Sequence, residues 1–65
     1  MKILVNAETK DVSAHVLSDI LDELGYGDVK IATALNEAFV AKMARTQTNV
    51  VAGDRLEIVT PRQGG

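Results

Sequence analysis

The sequence predicts a small α+β domain, a mixed sheet of four to five strands packed on one main helix and followed by a flexible C-terminal tail. Three observations predict it. Apolar residues alternate with period two at both ends of the chain, one stretch between them has helical period, and 65 residues suffice for one core only. A chain of this size buries roughly 60% of the surface its unfolded form exposes, so the core is thin.

At the start, Met1, Ile3 and Val5 alternate with Lys2, Leu4 and Asn6, the pattern of a strand with one buried face. Asn6-Ala7-Glu8-Thr9 reads as a turn, since Asn tolerates turn backbone, and Lys10-Asp11-Val12-Ser13 as the returning strand. From Leu17 the period changes. Leu17, Ile20, Leu21 and Leu24 stand at i, i+3, i+4 and i+7, with Ser18, Asp19, Asp22 and Glu23 on the other face. Gly25 suits the left-handed cap that ends such a helix, and Asp19 favours the positive end of its dipole. The start is less marked: Ser13 is a candidate cap, whereas Val16 is poor at that position.

Tyr26-Gly27-Asp28 reads as a loop, Val29 to Leu35 as a third strand, and Asn36-Glu37 as a turn before Phe39-Val40. Ala41 to Val50 has no clear period and reads as a short helical turn with irregular chain. Ala52-Gly53-Asp54 is a turn signal, and Arg55 to Thr60 a final strand with Leu56 and Ile58 on one face. Pro61 stops that strand because it has no amide hydrogen to give a ladder. Connected around one helix, these elements make a β-grasp arrangement over residues 1–60, with a tail at 61–65. Parallel pairing of the first and last strands is implied by the ubiquitin-like pattern and not by periodicity.

Composition removes several kinds of chemistry. There is no cysteine, hence no side-chain thiolate, no disulfide and no Cys-based metal site. With one Phe, one Tyr and no Trp, a chain that is 46% hydrophobic must build an aliphatic core. Net charge is −2, and Lys2, Lys10, Lys30, Lys42, Arg45, Arg55 and Arg62 are scattered along the sequence. A nucleic-acid binder would be expected to show a basic face, so no nucleic-acid partner is expected. Three consecutive apolar residues after Lys2 are far too few for a signal peptide or a membrane span. No membrane partner and a cytoplasmic location are the corresponding expectations.

The tail Pro61-Arg62-Gln63-Gly64-Gly65 is the candidate chemical device. A frayed end with no role is the bland alternative. Five residues beyond Thr60 reach about 16–18 Å, enough to thread into another protein's active site. Glycine has no Cβ, so a narrow channel can approach both faces of the backbone at Gly64 and Gly65. A carboxylate is a poor electrophile, being anionic and without a good leaving group. An ATP- and Mg²⁺-dependent partner can convert it to an acyl-adenylate, and a sulfur nucleophile can then displace AMP to leave a thiocarboxylate. The chain itself would bind no cofactor; ATP and Mg²⁺ would be consumed by the partner. Catalysis would then belong to partner enzymes, and Gly65 would be the group acted upon.

Met1-Lys2-Ile3-Leu4-Val5-Asn6, Val29 to Val40 with Ala34-Leu35-Asn36-Glu37, Gly53 to Val59, and the tail resemble the ThiS family, bacterial sulfur carriers of thiamine biosynthesis. The resemblance spans essentially the whole chain. The terminal glycine pair is common to ubiquitin-like carriers; the Ala-Leu-Asn-Glu segment, the Gly-Asp turn and the short length point to the thiamine branch. Two positions depart from the pattern: Val16 stands where a threonine often opens the helix, and Ala41-Lys42 where a proline or arginine often follows Phe-Val. The resemblance implies an adenylyltransferase of the ThiF kind, a cysteine desulfurase or related sulfur donor, and thiazole synthase as acceptor.

Other residues are weaker candidates for function. Leu4 and Val59 fall on the face opposite the core and are candidate docking residues, together with Pro61, Arg62 and Gln63. His15 reads as an exposed residue near the helix start, and Asp19, Asp22 and Glu23 as a solvated helix face and not a metal cluster. Ser13 and Ser18 have no partner base, and Gly25-Tyr26-Gly27 lacks phosphate-loop spacing. Two alternatives to a thiazole sulfur carrier remain at this level. One is a carrier for molybdopterin synthesis or another sulfur-transfer pathway; the other is an isopeptide-forming modifier or plain interaction domain.

Overall fold

The computed structural model describes residues 1–61. The chain forms β1 (Lys2–Val5), β2 (Glu8–Asp11), helix α1 (Leu17–Glu23), β3 (Ala32–Leu35), β4 (Ala38–Val40), a 3₁₀ helix (Lys42–Gln47) and β5 (Arg55–Val59). The five strands make one mixed sheet of order β2-β1-β5-β3-β4. Only β1 and β5 run parallel, with Leu4 beside Arg55 and Val5 beside Leu56; the other neighbours are antiparallel.

Two hairpins of the same design flank β5. In the first, Val5 pairs with Glu8 across a two-residue turn, Asn6-Ala7, with φ of 51° and 68°. In the second, Leu35 pairs with Ala38 across Asn36-Glu37, with φ of 51° and 72°. Left-handed backbone at both central residues matches the natural twist of the strands, which is why such turns close two-residue hairpins. The tight first turn starts β2 at Glu8, two residues earlier than alternation suggests, and ends it at Asp11. Val12 beyond it still exchanges bonds with Met1, its amide donating to the Met1 carbonyl at 2.8 Å and its carbonyl accepting from the Met1 ammonium at 2.7 Å, and its side chain enters the core.

The core is aliphatic, as composition requires. Ile3 and Val5 of β1, Val12, Leu17, Ile20 and Leu21 of α1, Val50, and Leu56 and Ile58 of β5 are buried together. Helix α1 ends in a left-handed turn at Gly25 (φ 94°). The Tyr26 amide donates to the Leu21 carbonyl at 2.8 Å and the Gly25 amide to the Asp22 carbonyl at 3.1 Å. That is the paired-bond pattern of a Schellman cap. At the other end Val16 occupies the cap position and makes no side-chain capping bond. Instead the Leu17 amide donates to the Thr48 carbonyl at 2.9 Å, and the Val50 amide to the His15 carbonyl at 2.8 Å. Ser13 does not cap the helix. Its amide, with that of Ala14, donates to the Glu23 carboxylate at 2.8–3.0 Å.

Strand β3 begins at Ala32, not Val29, because Ala32 already faces Val59, the last residue of β5. With no partner beyond it, Val29 is exposed in a turn, while Ile31 still packs against the core. The irregular stretch after β4 resolves into the 3₁₀ helix, tied to β3 through Arg45. Its Nε donates to Thr33 Oγ1 at 3.2 Å and its Nη2 to the Ile31 carbonyl at 2.8 Å. Thr33, buried, donates in turn to the Val40 carbonyl at 2.9 Å. No helix among the described residues is long and apolar enough to cross a membrane.

Candidate functional site

The tail grows from the middle of the sheet. Strand β5 has β1 on one side and β3 on the other, so Thr60 and Pro61 leave from its centre and not from an edge. Pro61 follows Thr60 outside the strand and is exposed. Arg62, Gln63, Gly64 and Gly65 lie outside the described residues.

Two asparagines fix β5 from opposite sides. Amides of Leu4 and Asn6 donate to the carbonyls of Asp54 and Leu56, both at 2.9 Å, in the slanted pattern of a parallel pair. Beyond Asn6 the chain turns back toward β2. The Asn6 side chain then meets Ile58, accepting its amide on Oδ1 at 2.8 Å and donating from Nδ2 to its carbonyl at 3.1 Å. Asn36 does the equivalent at the start of β5. It accepts the Arg55 amide at 2.9 Å, donates from Nδ2 to Asp54 Oδ1 at 3.1 Å, and gives its own amide to the Arg55 carbonyl at 2.7 Å.

The sheet face away from α1 carries the candidate docking residues. Val59 is 61% exposed there, and Leu4 is half-buried on the same face. They are not neighbours: Leu4 sits beside Arg55, about 13 Å along β5 from Val59 at the usual strand rise. What the fold places near Val59 is Phe39, 74% exposed. Ala32 stands opposite Val59, and Ala34 opposite both Glu57 and Phe39, which makes a continuous apolar strip across β5, β3 and β4. A shallow depression of about 250 Å³ lies on it, lined by Ala32, Ala34, Phe39, Glu57 and Val59 among others. Phe39 was not a candidate on sequence, although the signal existed. A two-residue turn at Asn36-Glu37 forces Phe39 opposite Ala34, on the parity that Leu35 does not share. Nearer the hairpin turns, Leu4, Ala7, Glu37, Arg55 and Glu57 surround a second depression of about 240 Å³, crossed by an exposed Arg55–Glu37 pair at 3.8 Å.

The remaining candidates separate. His15 is exposed. Among the described residues no group of three His, Cys, Asp or Glu could hold a metal ion. Glu23 has a structural role: amide donors from Ser13 and then Ala14 hold its pKa below the ordinary carboxylate value of 4.5. Basic residues that are scattered in sequence are less scattered in space. Lys30, Lys42 and Arg45 line one groove of about 390 Å³, shared with Asp28. Arg45 directs its donors there to Thr33 and Ile31.

A five-stranded mixed sheet wrapped on one helix, with a strand-borne tail leaving its centre, defines a ubiquitin-like β-grasp protein. The fold matches the crystal structure of thiamine biosynthesis protein ThiS from Geobacter metallireducens with a TM-score of 0.84, covering 100% of both chains at 23% identity. The ThiS family model matches residues 3–65, and the chain belongs to that family, whose members are non-catalytic sulfur carriers of thiamine biosynthesis and bind no cofactor. A thiazole synthase of Paramagnetospirillum magneticum is 38% identical over 66 residues; the match takes in 100% of this chain and spans 20% of that protein.

Proposed function

We propose that the carboxylate of Gly65 is the working group: a partner enzyme adenylates it, a sulfur donor converts it to a thiocarboxylate, and the sulfur passes on to form a thiazole ring. In the first step the carboxylate oxygen attacks the α-phosphorus of ATP and pyrophosphate leaves. In the second a persulfide sulfur attacks the acyl carbon and AMP leaves, giving an acyl disulfide; a second thiol then attacks the outer sulfur of that S–S bond, releasing the thiocarboxylate and forming a disulfide. The observation that carries this reading is the descent of the Gly-Gly tail from the central strand of a β-grasp domain of the ThiS family. β5 ends at Val59, and Pro61 has no amide hydrogen to give a ladder.

The partners are an adenylyltransferase of the ThiF kind, a cysteine desulfurase or related sulfur donor, and thiazole synthase as acceptor. Thiazole synthase is favoured over a molybdopterin acceptor because a segment like this chain occurs within a protein of that name. Val59 with the adjoining strip, Leu4, Pro61, Arg62 and Gln63 form the docking surface in this reading. Mass spectrometry after incubation with adenylyltransferase, ATP and a sulfur donor tests it, the expected product having one oxygen exchanged for sulfur. Deleting Gly65 is expected to leave the unfolding transition in place and abolish both adenylation and sulfur gain. Replacing Gly64 by Val is expected to block activation with the same unfolding behaviour. Sulfur gain by the truncated chain would overturn the reading.

A further inference from the structure

We propose that Asn6 is a positioning residue for the tail, its side chain acting as a stretch of missing strand that holds the end of β5 in the orientation from which partners receive Pro61 and the residues after it. This rests on the proposed function of the tail. In a parallel ladder, the rung after Asn6 N–H to Leu56 O would join Ile58 N–H to the Asn6 backbone carbonyl. The turn at Asn6-Ala7 removes the chain from that place. The side-chain amide supplies the rung instead, its Oδ1 taking the Ile58 amide at 2.8 Å, and Nδ2 then supplies the following rung to the Ile58 carbonyl at 3.1 Å. Among the described residues no other group bonds Ile58 on the β1 side.

Ile58 is the last core residue before the tail, and Val59 is held beyond it by β3 alone, through Ala32. One asparagine therefore decides whether the final residues of β5 are gripped on two sides or one. A chain gripped on one side samples more exit directions, and a partner that accepts only one of them sees a reduced competent fraction. The apparent affinity falls by that fraction, while a complex once formed reacts at its usual rate. A carbonyl or amide elsewhere could not substitute, because the two rungs need an acceptor and a donor on one planar group.

Asn36 is the internal control. It occupies the same turn position with the same φ of 51°, and its Oδ1 likewise accepts a β5 amide, that of Arg55 at the end away from the tail, while its Nδ2 donates to the Asp54 side chain. Asn6→Gly and Asn36→Gly both keep a residue that accepts positive φ and both remove an amide. The experiment measures ATP-dependent adenylation by the cognate ThiF-type adenylyltransferase as carrier concentration is varied, with backbone amide exchange followed in parallel. Asn6→Gly is expected to raise KM for the carrier about tenfold with kcat held within about twofold, and Asn36→Gly to leave both within about twofold. Exchange at the Ile58 amide is expected to quicken in Asn6→Gly alone. Asn6→Asp keeps the acceptor but sets a carboxylate oxygen against the Ile58 carbonyl; it is expected to fall between wild type and Asn6→Gly, and serves if the glycine variant does not fold. Equal kinetic effects from the two glycine variants, or an unchanged KM in both Asn6 variants, would overturn the positioning role. Wild-type chain that is not adenylated at all would overturn the proposed function, and this role with it.

Discussion

Six of the described residues take positive φ, and three of them show most directly what a side chain resists or permits there. Ala7 and Glu37 hold φ of 68° and 72° without being glycine, at a cost of roughly 1–2 kcal/mol each. Gly25, at φ 94°, carries no such cost, and the space around its missing Cβ is empty. Substitutions at Gly25 and Ala7 should therefore act in opposite directions. Gly25→Ala is expected to lower stability by about 1 kcal/mol through strain alone. Ala7→Gly is expected to raise it by about 0.5 kcal/mol, the relief being partly offset by the greater freedom of glycine in the unfolded chain. Urea denaturation midpoints of both variants check the pair. At this scale the asparagines and Gly25 were legible, because turn and cap chemistry is local. Glu37 and Ala7 at left-handed positions were not, since nothing in either residue type asks for that backbone.

Helix α1 shows how an element of seven residues persists without a side-chain N-cap. The Thr48 carbonyl takes the Leu17 amide, and Glu23 reaches back from the last turn to hold the loop that leads in. Apolar spacing predicted the helix and its buried face, but contacts between residues 17 and 48, or 13 and 23, depend on tertiary approach and leave no local mark. The same holds for β3, whose start is set by where β5 ends. Glu23 also gives the element a pH signature. Its pKa is lowered on folding by the amides of Ser13 and Ala14, so its contribution is complete above the ordinary value of 4.5 and is lost as pH falls through the depressed one. Glu23→Gln is expected to be less stable than wild type at neutral pH, with the gap closing on acidification below that value. Thermal unfolding at a series of pH values measures it. A gap that stayed constant would mean the carboxylate charge has no part in holding the loop.

For the whole molecule, the decisive connection is the parallel pairing of β1 with β5, which binds chain ends 51 residues apart at Leu4 and Arg55. Alternation identified both strands yet could not join them; only the likeness to ubiquitin-like chains implied it. The apolar strip of Phe39, Ala34 and Val59 was half legible, through Val59 alone, because cross-strand neighbours require the register. Stability at this size is small, roughly 3–10 kcal/mol for the domain. Ile20 is fully buried between α1 and the sheet, and Ile20→Ala is expected to cost about 2–5 kcal/mol, a large share of the total. A circular dichroism melt of that variant would show the transition lowered or lost.

The central place of β5 also governs the order of events during synthesis. Two hairpins, residues 2–11 and 32–40, emerge first, and hairpins by themselves are marginal in water. Neither touches the other in the ladder; both wait for residues 55–59 to come between them. Sheet closure is thereby late, since the strand that completes the sheet is the last of the five in chain order. A nascent chain stalled before Arg55 has two hairpins and no strand to join them, so it has no assembled sheet to show a partner.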